Sequence, residues 1–309
     1  MNIIGKRYWY FALSLALIVP GLIVMAAWGL PLAIDFTGGS LLEVQFSSGR
    51  APQPAEVTAL YEQELGITNT RVQTSGEDVV IVRSPFLDDE TRAKVIATME
   101  ARFSDTLTLK RFDSVGPTIG QEVAVRALLA VGVAALLVVV YIYFAFRGIA
   151  HSLRYGVCAI IAMIHDVAIV LSLAAIGGHF FGWQIDSLFL TAMLTVVGFS
   201  VQDKIVVFDR IRENSSLYRR LPFETLVNHS IVQTLQRSIN TQLMTVQFLL
   251  LALALFGGVT LREFAITLVV GLLSGTYSSI FIAAPILVVW EKREWGQWFR
   301  PREAASATS

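Results

Sequence analysis

The chain has 309 residues, 54% hydrophobic and 16% charged, with 24 basic and 24 acidic side chains, no formal net charge and a mean hydropathy of +0.61. That is too apolar for a soluble domain, where about a quarter of residues are charged, and the neutral balance gives no sign of a nucleic-acid partner. The single cysteine, Cys158, lies in an apolar run, so no disulfide framework forms within one chain.

A hydrocarbon core of about 30 Å takes roughly 20 mostly apolar residues of helix. Six segments qualify: Trp9–Trp28, Ala124–Phe146, Arg154–Ile176, Leu188–Phe208, Ser238–Gly257 and Phe264–Val289. The first follows Lys6-Arg7 and is also readable as a cleavable signal. Its apolar stretch exceeds the roughly 7–15 residues of a signal core, so a retained anchor is expected. Lys6, Arg7, Arg147, Arg154, Arg210, Arg212, Arg219, Arg220, Lys292, Arg293, Arg300 and Arg302 fall on one side, and among the short opposite loops only Arg262 does. The positive-inside rule then puts both termini in the cytoplasm and residues 35–121 outside. The expected organisation is residues 1–34 as N-terminus and first span, 35–121 as an extracytoplasmic domain, 122–290 as a helical bundle, and 291–309 as a cytoplasmic tail.

The outer domain opens with Asp35-Phe36-Thr37-Gly38-Gly39, directly after the first span. Leu41–Phe46 alternates as a strand. Ala55–Leu65 reads as a helix with Pro54 near its start and Gly66 after its end. Thr70–Thr74 and Asp78–Arg83 read as strands, Asp88–Phe103 as a helix with acids in its first turn, and Leu107–Val115 as the last strand. This βαββαβ order predicts a ferredoxin-like α+β domain with two helices on one sheet face and the other face free. The segment has no histidine, cysteine or phosphate-binding glycine loop, and Asp88 and Asp89 are expected to cap a helix. A peptide added to the sheet is a weaker reading, from fold type alone.

Ionisable residues inside spans cost several kcal/mol and call for a reason. His165-Asp166 sits near the middle of span three. Adjacent helical residues point about 100° apart, so no metal site is expected from them; a proton relay, an interhelical hydrogen bond and a packing pair stay open. Asp203 lies five residues before Phe208, about 7.5 Å along a helix, in the inner half of the bilayer; the bland alternative is that Asp203 and Lys204 snorkel to the cytoplasmic surface. Arg237, Thr241 and Thr245 share one face at the inner end of span five. Spans four and five are antiparallel, so an Asp203–Arg237 pair is expected, with Arg237 as a simple anchor the alternative. Gly198, Gly271 and Gly275 are expected to let helices approach closely. Between spans four and five, about 222–236, Phe223, Leu226, Val227, Ile231 and Leu235 predict an amphipathic helix on the inner membrane surface.

Together these features resemble the SecF family of protein-export membrane proteins, and through it one half of an RND-type transporter. The resemblance covers about the whole chain. It is carried by Asp35–Gly39, by Val115-Gly116-Pro117, by His165-Asp166, by Val197–Arg212 with Asp-Arg-Ile-Arg-Glu-Asn at 209–214, and by Arg237–Thr241. It implies a six-span helical membrane protein of the cytoplasmic (inner) membrane, without enzymatic activity, that uses the proton gradient to assist export of unfolded secretory polypeptides. The implied partners are SecD and the translocon proteins SecY, SecE and SecG, with YajC as a further candidate. It implies protons as the coupling ion and no cofactor or metal, with proton passage at Asp203 and Arg237 and with His165, Asp166 and Thr241 as further candidates. The chain departs from the family pattern at Gln202 and Lys204, which flank Asp203, and at Gln242 and Met244. Lys204 either alters the proton affinity of Asp203 or points to water. A small-molecule exporter half, an intramembrane enzyme and a scaffold without proton use are the rival readings.

Overall fold

In the computed structural model, which describes residues 2–147, 152–242, 248–256 and 259–294, the first apolar run forms α1 (Arg7–Trp28). Gly29, at φ 78°, ends it in a conformation that side chains avoid. The chain divides into two compact units, one made of Trp28–Gly132 and Ile176–Leu190, the other of Met1–Ala27, Val133–Ala175 and Thr191–Ser309.

The first unit begins with a short helix, α2 (Ile34–Thr37), and then alternates as the sequence pattern predicts. Its elements are β1 (Gly39–Phe46), α3 (Pro54–Ala59), β2 (Arg71–Ser75), β3 (Val79–Ser84), α4 (Asp89–Phe103) and β4 (Leu107–Val115). The strands form one antiparallel sheet in the order β2-β3-β1-β4. Leu42, Val44, Phe46, Val80 and Val82 face one side at the two-residue period of a strand and bury against Val57, Leu60, Tyr61, Val95 and Met99 of the helical segments. Asp88 caps α4 by accepting the Thr91 N–H at 2.8 Å, and hydrogen bonding from the Thr91 side chain first, then from that N–H, holds its carboxyl below the usual carboxylate range. The opposite sheet face is not wholly free as expected. Ile81 is buried there, and its cross-strand neighbour Gln73 donates to the carbonyl of Phe181 at 3.2 Å.

Two motifs that lie far apart in sequence meet in this unit. Gly38 and Gly39 have φ of 73° and 126°. A Cβ on Gly38 would come within 2.7 Å of the Pro117 Cα, and one on Gly39 within 2.7 Å of the Ser84 carbonyl oxygen. Gly39 pairs with Val115 in the sheet, so the residues before Pro117 run beside the diglycine. Asp35 accepts from the Ser187 N–H at 3.0 Å and from its hydroxyl at 2.6 Å, while Ala33 donates to Ile185 at 2.9 Å. Asp186 caps the next long helix through the Phe189 N–H at 2.8 Å.

Long helices dominate the chain: α5 (Pro117–Ala145), α6 (Ser152–Phe181), α7 (Ser187–Leu217) and α10 (Val259–Ser278), which continues through a π-turn at Ser279–Ala283 into α11 (Ala284–Glu291). Pro285 accounts for the π-turn, since its ring lacks an N–H and crowds the carbonyl four residues earlier. Among the described residues, five helices are long and apolar enough to cross a membrane: Ile4–Trp28, Pro117–Ala145, Ser152–Phe181, Ser187–Leu217 and Leu261–Glu291.

Of the expected span at Ser238–Gly257, residues 243–247 and 257 lie outside the described residues. Its first residues belong to α8 (Phe223–Gln242), which runs on without a break from the expected amphipathic helix, and α9 (Phe248–Phe256) follows. Thr245, and the tail beyond Glu294, lie outside the described residues.

In the second unit Phe208, Ile211, Val227, Ile231, Leu287 and Val288 form a shared core. Close approach at glycine is uneven. Gly21 of α1 sits where a Cβ would meet the Ser172 Cβ at 2.1 Å, and Gly271 where it would meet a Val196 methyl at 2.3 Å. A Cβ on Gly275 would meet Ser200 at 3.3 Å, tighter than ordinary contact, but among the described residues nothing lies within 4 Å of a Cβ on Gly198. Among the described residues Gly198 therefore has no close neighbour of the kind expected of it.

Candidate functional site

Three helices of the second unit each bring polar residues to one buried point. Residues four apart share a helix face: Ser200 and Lys204 on α7, and Ser274 and Ser278 on α10. They converge on Asp166 of α6. The Asp166 Oδ2 accepts from Lys204 Nζ at 2.7 Å, Ser200 Oγ at 2.5 Å and Ser278 Oγ at 2.6 Å, and its Oδ1 accepts from Ser274 Oγ at 2.7 Å. Asp166, Lys204 and Ser278 are all 0% exposed. A carboxylate and an ammonium held this deep lose hydration and need each other and further hydrogen bonds. The three hydroxyls supply those bonds, and the carbonyl of Ser200 takes a further one from Lys204 at 3.3 Å.

His165 joins the cluster despite its position next to Asp166. Its Nδ1 lies 3.0 Å from Asp166 Oδ1, because side-chain torsions let the two groups meet although their Cβ atoms point about 100° apart. Its buried Nε2 has no hydrogen-bond partner among the described residues. Of the two alternatives for Lys204, pointing to water is not what is seen: it is the buried counter-ion of Asp166.

Asp203 occupies the adjoining face of α7 and is half-buried. The expected ion pair with Arg237 is absent among the described residues. The Asp203 carboxylate instead accepts from Ser238 Oγ at 2.8 Å on α8 and from the Ser279 hydroxyl at the π-turn. The π-turn shifts the register of α10, placing Ser279 toward Asp203 while Ser278 serves Asp166. Arg237 is exposed. Asp203, Arg237, Ser238 and Thr241 nevertheless line one cavity of about 60 Å³, and Arg237 and Val206 also line a second of about 330 Å³ that includes Asp209, Arg210 and Glu213. Among the described residues no three His, Cys, Asp or Glu side chains gather as a metal site.

The Asp-Arg-Ile-Arg-Glu-Asn stretch ties α7 to α8. Asn214, buried, donates to Ser230 Oγ at 2.8 Å and to Gln233 Oε1 at 2.9 Å, and Arg210 Nε donates to the same Gln233 oxygen at 2.7 Å.

Residues 95–293 match the family described as Protein export membrane protein SecD/SecF, C-terminal, and residues 24–49 match the SecD/SecF GG Motif. The chain belongs to the SecD/SecF family. It is 69% identical over 300 residues to the protein translocase subunit SecF of Anaerolinea thermophila, a match that covers 97% of each chain. It is 43% identical to the protein translocase subunit SecF of Thermobaculum terrenum over the whole of both chains. Its fold is similar to the crystal structure of SecDF from Thermus thermophilus, with a TM-score of 0.81 at 34% identity; the match covers 95% of this chain and 39% of that longer one.

In this SecD/SecF chain the GG segment is the tight turn built by Gly38 and Gly39. Sequence reasoning missed Lys204, Ser200, Ser238, Ser274, Ser278 and Ser279 as members of the buried polar network. The available signal was the four-residue spacing of Ser200 with Lys204 and of Ser274 with Ser278, two same-face polar pairs within apolar helices.

Proposed function

We propose that this chain is the SecF-type subunit of the protein-export machinery, a multi-pass protein of the cytoplasmic membrane. It works with a SecD subunit beside the SecY, SecE and SecG translocon to help draw unfolded secretory polypeptides outward. Both termini are cytoplasmic, the bundle has six spans with 238–257 as the fifth, and residues 35–121 form a ferredoxin-like extracytoplasmic domain. Protons are the coupling ion, and no cofactor takes part.

Asp203 is the proton-exchanging group in this reading. The observation that carries it is the pair of adjoining cavities sharing Val206 and Arg237. The smaller has room for a few water molecules, and the larger reaches the Asp209 and Glu213 carboxylates two to three helical turns further along α7. Arg237 and Thr241 line the route. Proton arrival at Asp203 weakens its acceptance of the Ser238 and Ser279 hydroxyls, which belong to α8 and to the π-turn after α10. The three helical segments then change their mutual fit. Asp166 and Lys204 serve as a fixed charge pair beside the moving one. One charge crossing 100 mV is worth ~2.3 kcal/mol, a bias of roughly fifty-fold on a two-state equilibrium.

The test is Asp203→Asn in cells depleted of the native protein, with export of a secretory reporter followed at low temperature. A strong export defect with normal membrane insertion is expected. Normal export would remove Asp203 from the mechanism.

A further inference from the structure

Two guanidiniums face a cavity of about 580 Å³ in the sheet-containing unit, on the opposite side of the sheet from its core. Arg71 of β2 and Arg83 of β3 are direct cross-strand partners, so their side chains rise from the same face. Like charges directly opposite one another destabilise a sheet. Arg83 is oriented by Gln73, whose Oε1 accepts its Nη1 at 2.5 Å. The Arg71 side chain has no hydrogen bond or ion pair among the described residues. Among the described residues no carboxylate lines the cavity. Part of the remaining wall is apolar, from Leu30, Pro31, Leu32 and Ile34, and Thr37 and Asn69 are among the polar residues that line the rest.

Leu30, Pro31 and Leu32 follow closely on Trp28, the last residue of an apolar helix long enough to cross a membrane, and Trp28 is exposed. An exposed tryptophan at the end of such a helix marks the level of lipid headgroups. The cavity therefore combines a paired positive wall with an apolar wall at the boundary between hydrocarbon and water. Paired guanidiniums suit phosphate oxygens, which they bind with charge-assisted, often bidentate hydrogen bonds.

We propose that Arg71 and Arg83 form a binding site for a phosphate group, supplied by the headgroup of an anionic phospholipid at the outer membrane surface. The apolar wall receives the first part of the acyl region, and the bound phosphate relieves the repulsion between the two arginines.

The test uses the full-length protein in detergent, titrated with phosphatidylglycerol, with phosphatidylcholine, with inorganic phosphate and with an extended acidic peptide, binding being read by native mass spectrometry. Three forms are compared: the unaltered protein, Arg71→Gln, and Arg71→Gln with Arg83→Gln. The single variant changes an exposed side chain, so it stays informative if the double variant folds poorly. Phosphatidylglycerol is expected to bind at least about tenfold more tightly than phosphatidylcholine, and Arg71→Gln to remove most of that preference. Competition by inorganic phosphate at similar concentration supports the phosphate site but assigns it to a free anion instead of a lipid. Equal phosphatidylglycerol binding by all three forms overturns the proposal. So does arginine-dependent binding confined to the acidic peptide.

Discussion

Lys204→Met tests the buried charge cluster most directly. At an effective dielectric of about 20, the 2.7 Å separation of Lys204 Nζ from Asp166 Oδ2 corresponds to a gross attraction of about 6 kcal/mol. Desolvation of both ions cancels much of this, so the pair itself adds little net stability. Removing one partner is another matter, because the Asp166 carboxylate would stay fully buried without its cation, at a cost of about 3–5 kcal/mol. The hydroxyls of Ser200, Ser274 and Ser278 and the His165 ring still surround it, which favours the lower end of that range. At roughly 2 °C per kcal/mol for a chain of this size, thermal unfolding in detergent should fall by roughly 6 °C or more. The double variant Asp166→Asn, Lys204→Met has no orphaned charge and should recover to within about 1 kcal/mol of the unaltered protein, giving a coupling energy of at least about 2 kcal/mol. A Lys204→Met protein within 1 °C of the original, or a double variant whose effects simply add, would refute this account of the cluster.

The two glycine predictions oppose each other. Gly21→Ala places a Cβ 2.4 Å from the Ser172 Cα, which backbone movement alone can relieve, and should cost about 1–3 kcal/mol. Gly198→Ala meets no described residue within 4 Å and should be neutral or up to about 1 kcal/mol stabilising through helix propensity; thermal unfolding of the two variants side by side checks both, and equal shifts would contradict the packing described. Asp186 supplies a pH test: burial first, and then the nearby Asp35 charge, hold its carboxyl above the usual carboxylate range. A raised folded-state value means its contribution is fully present below the unfolded value of about 3.9 and is lost as pH rises through the folded value. Asp186→Asn keeps a helix-capping oxygen, so its stability relative to the original protein should improve between pH 4 and pH 7; a difference that stays flat across that range would rule out a strained Asp186.

The sheet-containing unit was legible almost residue by residue. Strand alternation, Pro54, Gly66 and Asp88 are local signals, and local physics places β4 at the predicted Leu107–Val115. Long apolar runs marked the crossing helices for the same reason, since their composition is set by the solvent they meet. The sequence was less informative where a helix continues without changing character. Nothing in 236–238 announces that the amphipathic helix and the first turn of the expected fifth span are one element, α8.

The buried site was half legible. Asp166, His165 and Asp203 stood out because charge inside an apolar run is costly wherever it points. Which cation answers which carboxylate could not be read, because the partner is chosen by helix rotation and register. Lys204 is one residue from Asp203, yet about 100° around α7, and it turns to Asp166 on α6. Asp203 turns the other way, to Ser238 and Ser279, and the latter is delivered by the π-turn ahead of Pro285. The amino-acid sequence thus determined that ionisable groups lie within the helices, since that is a matter of composition and depth. Only tertiary packing decided their pairing, since a hydrogen bond is fixed within a few tenths of an ångström and depends on how three helices are rotated against one another.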